Sequence, residues 1–258
     1  MIDFLPAAHE LLWALAVIPL AAYLHGILGL GFVTIAMPLL VMVLDLRLAM
    51  VLTVPIAVAL SFRLAFFGGG LRDSVGKHWY MPVFMGLGAI SGAWIFQHTE
   101  QRILLLVIAG AMVLFLSIDY LKKAHLHLPR HWAHPAAMLF AFLAGNTETS
   151  VNMGSPFLLI FGLLAGYSPL AMVQLVNLCF FTGKLVHVIT LSVGGESVAA
   201  VSLMEWVPGL VLVPVCLWIC AFGVRRREKT HVDTYRRWLK IFLKVMVVLV
   251  LGKVALSS

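Results

Sequence analysis

Apolar residues fall into eight runs along the chain, at about 10–44, 48–67, 79–97, 102–121, 135–165, 169–193, 203–222 and 237–256. Polar and charged residues gather in the connections. A helix that crosses the hydrocarbon core of a bilayer takes about 20 residues, so most runs predict one transmembrane helix each. The first and fifth are too long for a single crossing at about 1.5 Å per residue, and both are interrupted. The first breaks at Gly26-Ile-Leu-Gly29-Leu-Gly31, the fifth at Ala144-Gly-Asn-Thr-Glu-Thr-Ser-Val-Asn-Met-Gly-Ser-Pro156. Each predicts a broken helix pair, a hairpin or a re-entrant pair, followed by three ordinary spans.

That order occurs twice. Leu24-His-Gly26 followed by Pro38-Leu-Leu resembles Leu143-Ala-Gly145 followed by Pro156-Phe-Leu-Leu. Arg47-Leu-Ala-Met-Val51 resembles Pro169-Leu-Ala-Met-Val173, and Gly68–Val75 can be set beside Gly194–Val198. The offset stays near about 120 residues. Duplicated halves are a common build of secondary transporters. The chain therefore reads as an all-α polytopic membrane protein of two repeats with about eight to ten membrane segments. Residues 1–121 form the first repeat, 122–134 a cytoplasmic linker and 135–258 the second repeat.

Composition sharpens this. With 62% hydrophobic and 11% charged residues, a soluble globular domain, about a quarter charged, is excluded. The net charge of +7 sits in the connections, which points to cytoplasmic loops and not to a nucleic-acid surface. Lys122–His134 and Arg225–Arg237 are the most basic connections and are placed inside; the acidic loop with Glu196 and Glu205 lies between them. For both to be inside, the fifth run must return to its starting side. The same rule puts Gly68–His78, with Arg72 and Lys77, inside, and the N-terminus, with Asp3 and Glu10 but no Lys or Arg before Arg47, outside. The halves then come out inverted, in a cell inner membrane, with both termini external or periplasmic.

Seven of the eleven residues from Gly145 to Ser155 are polar, and one of them, Glu148, is charged. Irregular polar backbone at membrane depth is tolerated only where it is buried in protein or lines a wet cavity, so the stretch predicts half of a solute site. Lys184 lies midway along its run, and Asn177, Lys184 and His187 fall within an arc of about 80° on a helix. Such a stripe should face the bundle interior. Arg63 holds nearly the equivalent place in the first half. Two central cations imply an anionic solute, and a guanidinium matches sulfonate, carboxylate or phosphate oxygens with two parallel hydrogen bonds.

A half-helix that starts inside the membrane adds unpaired N–H groups and its positive dipole end. Gly29 and Gly31 would let backbone approach the anion, with the Thr34 hydroxyl beside them. Asn146, Thr147, Thr149, Ser150, Asn152 and Ser155 offer further donors. Glu148, protonated through desolvation, could couple solute to protons; His25 and His187 are alternative proton carriers. A Glu148 paired with Lys184 or Arg63 is an equally open reading. The histidines at 125, 127, 131 and 134 lack acidic or thiol partners and read as a wet loop, not a metal site. Gly88 and Gly92 read as helix packing, and Cys179, Cys216 and Cys220 as small core hydrophobes. No cofactor or metal is expected.

The layout resembles the sulfite exporter TauE/SafE family, the group that includes the toluene sulfonate uptake permeases. The likeness covers nearly the whole chain and rests on Gly26-Ile-Leu-Gly-Leu-Gly-Phe, Met-Pro38-Leu-Leu, Leu-Ala-Met-Val51 and their echoes in the second half. The glycine-rich pattern is thinned here to Gly29 and Gly31, and Asn146-Thr-Glu-Thr-Ser150 replaces it in the second half. The resemblance implies a duplicated four-plus-four helix protein that carries sulfite, organosulfonates or related small anions. The expected function is therefore a secondary transporter, not an enzyme, with a small anion and membrane lipids as partners and no nucleic acid. A coupling proton and a homodimer stay open. So do two alternatives: a membrane-embedded hydrolase or transferase using Glu148, Ser150 and His187, and a passive anion channel.

Overall fold

The computed structural model describes residues 8–67, 76, 78–123, 127–193, 201–227 and 232–256. Arg72, Lys77, His125, Glu196 and the glycines at 68–70 and 194–195 lie outside them. Among the described residues the secondary structure is ten α-helices and two short 3-10 turns. The first half holds α1 (Ala8–Leu28), α2 (Phe32–Leu40), α3 (Leu46–Phe66), α4 (Met81–His98) and α5 (Gln101–Lys123). The second holds α6 (Ala133–Val151), α7 (Ser155–Leu164), α8 (Pro169–Val193), α9 (Val207–Arg227) and α10 (Val232–Leu256). Each half is thus a broken pair followed by three helices, as the apolar runs predict.

The breaks are shorter than the sequence suggests. α6 runs through Val151, so most of the polar stretch is its last two turns, and only Asn152, Met153 and Gly154 leave the helix. A helix satisfies its own backbone in an apolar medium, and irregular backbone does not; the chain therefore stays helical for as long as it can. Asn152 ends α6 in the left-handed region at φ 59°, which Asn tolerates better than most residues. In the first half α1 continues past Gly26, and the break is made by Gly29 and Gly31 at φ 80° and 96°.

Each broken pair folds back. The Trp13 indole donates to the carbonyl of Leu39 (2.9 Å) and the Leu128 amide to that of Leu164 (3.0 Å), so each short helix ends beside the start of its partner. α3 and α8 pack against each other at the centre. Around them α1 packs on α9 and α6 on α4, α3 on α9 and α8 on α4, α2 on α10 and α7 on α5, with α5 against α10. Exchanging the halves maps this set of pairs onto itself, with α3–α8 and α5–α10 each returning to itself.

Glycine sets the closest crossings. A Cβ on Gly26 would strike the carbonyl of Cys220, and one on Gly223 that of Tyr23, so α1 and α9 meet backbone to backbone. Gly88, Gly92 and Gly145 do the same between α4 and α6, which bears out the packing role read for Gly88 and Gly92. Large apolar side chains, among them Leu12, Trp94, Val211, Trp218 and Val248, point outward and are more than half exposed. Five of the described helices are long and apolar enough to cross a membrane. This is the surface of an integral membrane protein.

Candidate functional site

The breaks meet in the interior. Thr34, in the first turn of α2, and Ser155, the first residue of α7, bring their hydroxyl oxygens to 2.8 Å. A small cavity lies beside this contact. Lys184 reaches it from α8, Glu148 and Asn152 from the end of α6, and His25 and Gly31 from the first break. Ser61 of α3 adds a hydroxyl. The remaining wall is apolar, built by Phe32, Val33, Ala57, Leu60 and Phe180.

Lys184 is 1% exposed and is not a bare cation. Its ammonium forms an ion pair with Glu148 Oε1 and donates to Asn152 Oδ1. The same carboxylate accepts, through Oε2, the amide N–H of Gly154 at 2.6 Å, just before α7 begins. Asn152 is held in turn by donating to Thr53 Oγ1 (2.9 Å), whose hydroxyl donates to Ala49 O (2.7 Å). Two buried opposite charges that satisfy each other, with neutral hydrogen bonds around them, can persist at membrane depth where a single one could not.

The first half repeats this with a different group. The ring of His25, 3% exposed, accepts the amide of Phe32, the first residue of α2, at Nδ1 (3.2 Å). Each half-helix is therefore capped by a titratable side chain from the preceding helix. Asn177 ties α8 to the first break by donating to Gly29 O (3.0 Å) and, within its own helix, to Val173 O (2.7 Å).

Other residues singled out in the sequence lie elsewhere. Arg63 does not line the cavity; it donates to the carbonyl of Leu217 on α9 at 3.1 Å. The pairing of Lys184 with Arg63 is thus replaced by one with Ser61. α3 and α8 start 123 residues apart, at 46 and 169, which sets Ser61 opposite Lys184, and two residues further turn Arg63 by about 200°. One lysine, neutralised by Glu148, stands where two cations were expected. Asn146 faces α4 and donates to Ser91 Oγ (2.9 Å). Thr147 bonds back to Leu143 O (2.8 Å), and its carbonyl accepts from Met153 (3.2 Å) to close α6. Thr149, Ser150 and His187 are buried but do not line the cavity. Among the described residues the Thr149 hydroxyl, Asn177 Oδ1 and both ring nitrogens of His187 have no hydrogen-bond partner.

Thr53, Ser61 and Phe180 were missed by reading the sequence. Single hydroxyls in an apolar run carry little signal, but applying the helix offset to Lys184 would have pointed to Ser61.

The family model for the sulfite exporter TauE/SafE matches residues 14–252 of the 258. No curated protein and no solved structure matches.

Proposed function

The chain belongs to the sulfite exporter TauE/SafE family, and from that premise we propose that it is a secondary transporter of a small sulfur-containing anion. An organosulfonate is the preferred solute. The observation that carries this choice is the mixed lining of the cavity. Lys184, Thr34, Ser155 and Ser61 bring polar groups to it, while Phe32, Leu60 and Phe180 supply an apolar wall. Sulfite, hydrated all round, leaves that wall unused; a sulfonate with a carbon substituent uses both.

Alternating access fits the build. The halves exchange their packing partners, and the two breaks meet at Thr34 and Ser155, so one repeat can rock against the other about a fixed site. We read the repeats, residues 1–121 and 135–258, as inverted in the inner membrane with both termini outside. What favours transport over hydrolysis is the surroundings of Ser150. It does not line the cavity, and His187, one of the groups offered to activate it, has no hydrogen bond at either nitrogen among the described residues. A serine nucleophile needs a base within hydrogen-bond reach.

The test is thermal stability of detergent-purified protein with isethionate, toluenesulfonate, taurine, sulfite, acetate and phosphate. Selective stabilisation by sulfonates, lost in Lys184→Met, is expected. Equal response to acetate and phosphate, or none to any sulfur anion, overturns the substrate assignment.

A further inference from the structure

Glu148 occupies both groups that an anion in this cavity would need. One oxygen pairs with Lys184, and the other takes the Gly154 amide at the start of α7. The carboxylate is in effect a built-in anion seated in the site. We propose that Glu148 is the proton-binding group of the transport cycle. It surrenders Lys184 and the half-helix to the solute by taking up one proton for each monovalent anion bound.

The argument is charge balance among buried side chains. At rest, Lys184 and Glu148 sum to zero. A sulfonate added to that pair would leave one uncompensated negative charge among side chains 1–2% exposed, which is strongly unfavourable. With Glu148 protonated, Lys184 and the sulfonate again sum to zero. The proton ends on the carboxylate, no bond other than O–H forms, and the released amide and ammonium turn to the sulfonate oxygens. In its neutral form Glu148 can also donate to the solute.

The charged and titratable groups around Glu148 are few. From α8 come Lys184 and, one turn on, His187. From α1, His25 lines the same cavity and accepts from Phe32 through Nδ1. α7 has no titratable side chain, α4 has only the exposed His98, and Arg102 at the start of α5 is exposed. Of the caps on the two half-helices, only Glu148 is paired with the cavity lysine, so its protonation is the one that frees the cation.

This inference rests on the anion-site reading above, and its test separates the two. Isethionate and toluenesulfonate serve as probes, because their sulfonates hold no proton near neutral pH. Purified wild-type protein in weakly buffered detergent with a pH dye should take up one proton per anion bound. Its affinity should rise about tenfold for each unit fall in pH while Glu148 is ionised. In Glu148→Gln the affinity should be flat with pH and proton uptake absent, whereas Glu148→Asp should restore both. Should the glutamine variant fail to purify, the wild-type proton count still decides. Binding without proton uptake in wild type overturns the role of Glu148 and leaves the transporter reading standing. Binding of neither probe, nor of sulfite, at any pH overturns both.

Discussion

Thr34 and Ser155, 121 residues apart in the chain, hold their hydroxyl oxygens 2.8 Å apart in the buried centre of the protein. Each belongs to the opening turn of a half-helix, so this one bond fastens the two breaks together. Removing either hydroxyl strands the other away from water, at a cost of about 1–3 kcal/mol. Thr34→Val and Ser155→Ala should each lower the melting temperature in detergent. The double variant, with neither hydroxyl left to satisfy, should fall less than the sum of the two. Strict additivity in that cycle would mean the bond contributes nothing.

The ion pair of Lys184 with Glu148 makes a sharper case. Breaking a buried pair by removing one partner costs about 3–5 kcal/mol, because it leaves an uncompensated charge, whereas replacing both with neutral groups of similar size is often neutral. Lys184→Met and Glu148→Gln should each destabilise strongly, and Lys184→Met with Glu148→Gln should recover most of the loss. Thermal melts of the three variants measure this. Transport should be absent wherever Lys184 is missing, including in the stable double variant.

Hydropathy alone made the fold legible down to the two broken runs and the three helices after each, because the bilayer penalises every polar residue in a span. The site was legible only in part. Lys184, Glu148, Asn152 and Ser155 stood out as polar residues in apolar surroundings, and all four line the cavity. Arg63 stood out equally and lies against α9, because which face of a helix turns inward depends on register within a degree of rotation that weak repeats do not fix. Asn146 and Thr147 lie off the cavity for a related reason: in the last turns of α6 successive side chains point about 100° apart, so a polar run cannot all face one cavity. The cap that His25 provides could not be read at all without the backbone of Gly29 to Phe32.

Close helix crossings give a paired prediction. Gly145→Ala would drive a Cβ into the carbonyl of Met85 and the amide of Ala89. Backbone cannot yield as a side chain can, so the α4–α6 crossing should open, with a loss of about 1–3 kcal/mol. Gly110, inside α5, has nothing within 4 Å of the same position. Gly110→Ala should leave stability unchanged or raise it by up to about 1 kcal/mol through helix propensity. Melting the two variants side by side tests the crossing itself, since the substitution is chemically the same.

The contacts between connecting segments sort them into two groups, and these lead to a test of orientation. Arg47 pairs with Glu205 at 3.0 Å, Trp206 donates to Ser192 (3.0 Å), and Lys253 reaches the carbonyl of Val41. At the other end His78 bonds Tyr167, Tyr80 bonds His134 (2.6 Å), and Leu128 bonds Leu164. Burial pushes the Tyr167 phenol up to about 12, so it stays protonated at any physiological pH. The second group includes the end of the basic 122–134 connection, and the excess of Lys and Arg marks the cytoplasmic side. On that rule the first group, with Glu205 and the C-terminal turn of α10, is expected to face outward. A phosphatase that works only outside the cytoplasm should be active when fused after Ser258, and inactive when inserted at His127. A fluorescent reporter that matures only in the cytoplasm should give the opposite pattern. An active phosphatase at His127 with a fluorescent C-terminus would reverse the orientation of the whole bundle, and the anion would then be met from the other side.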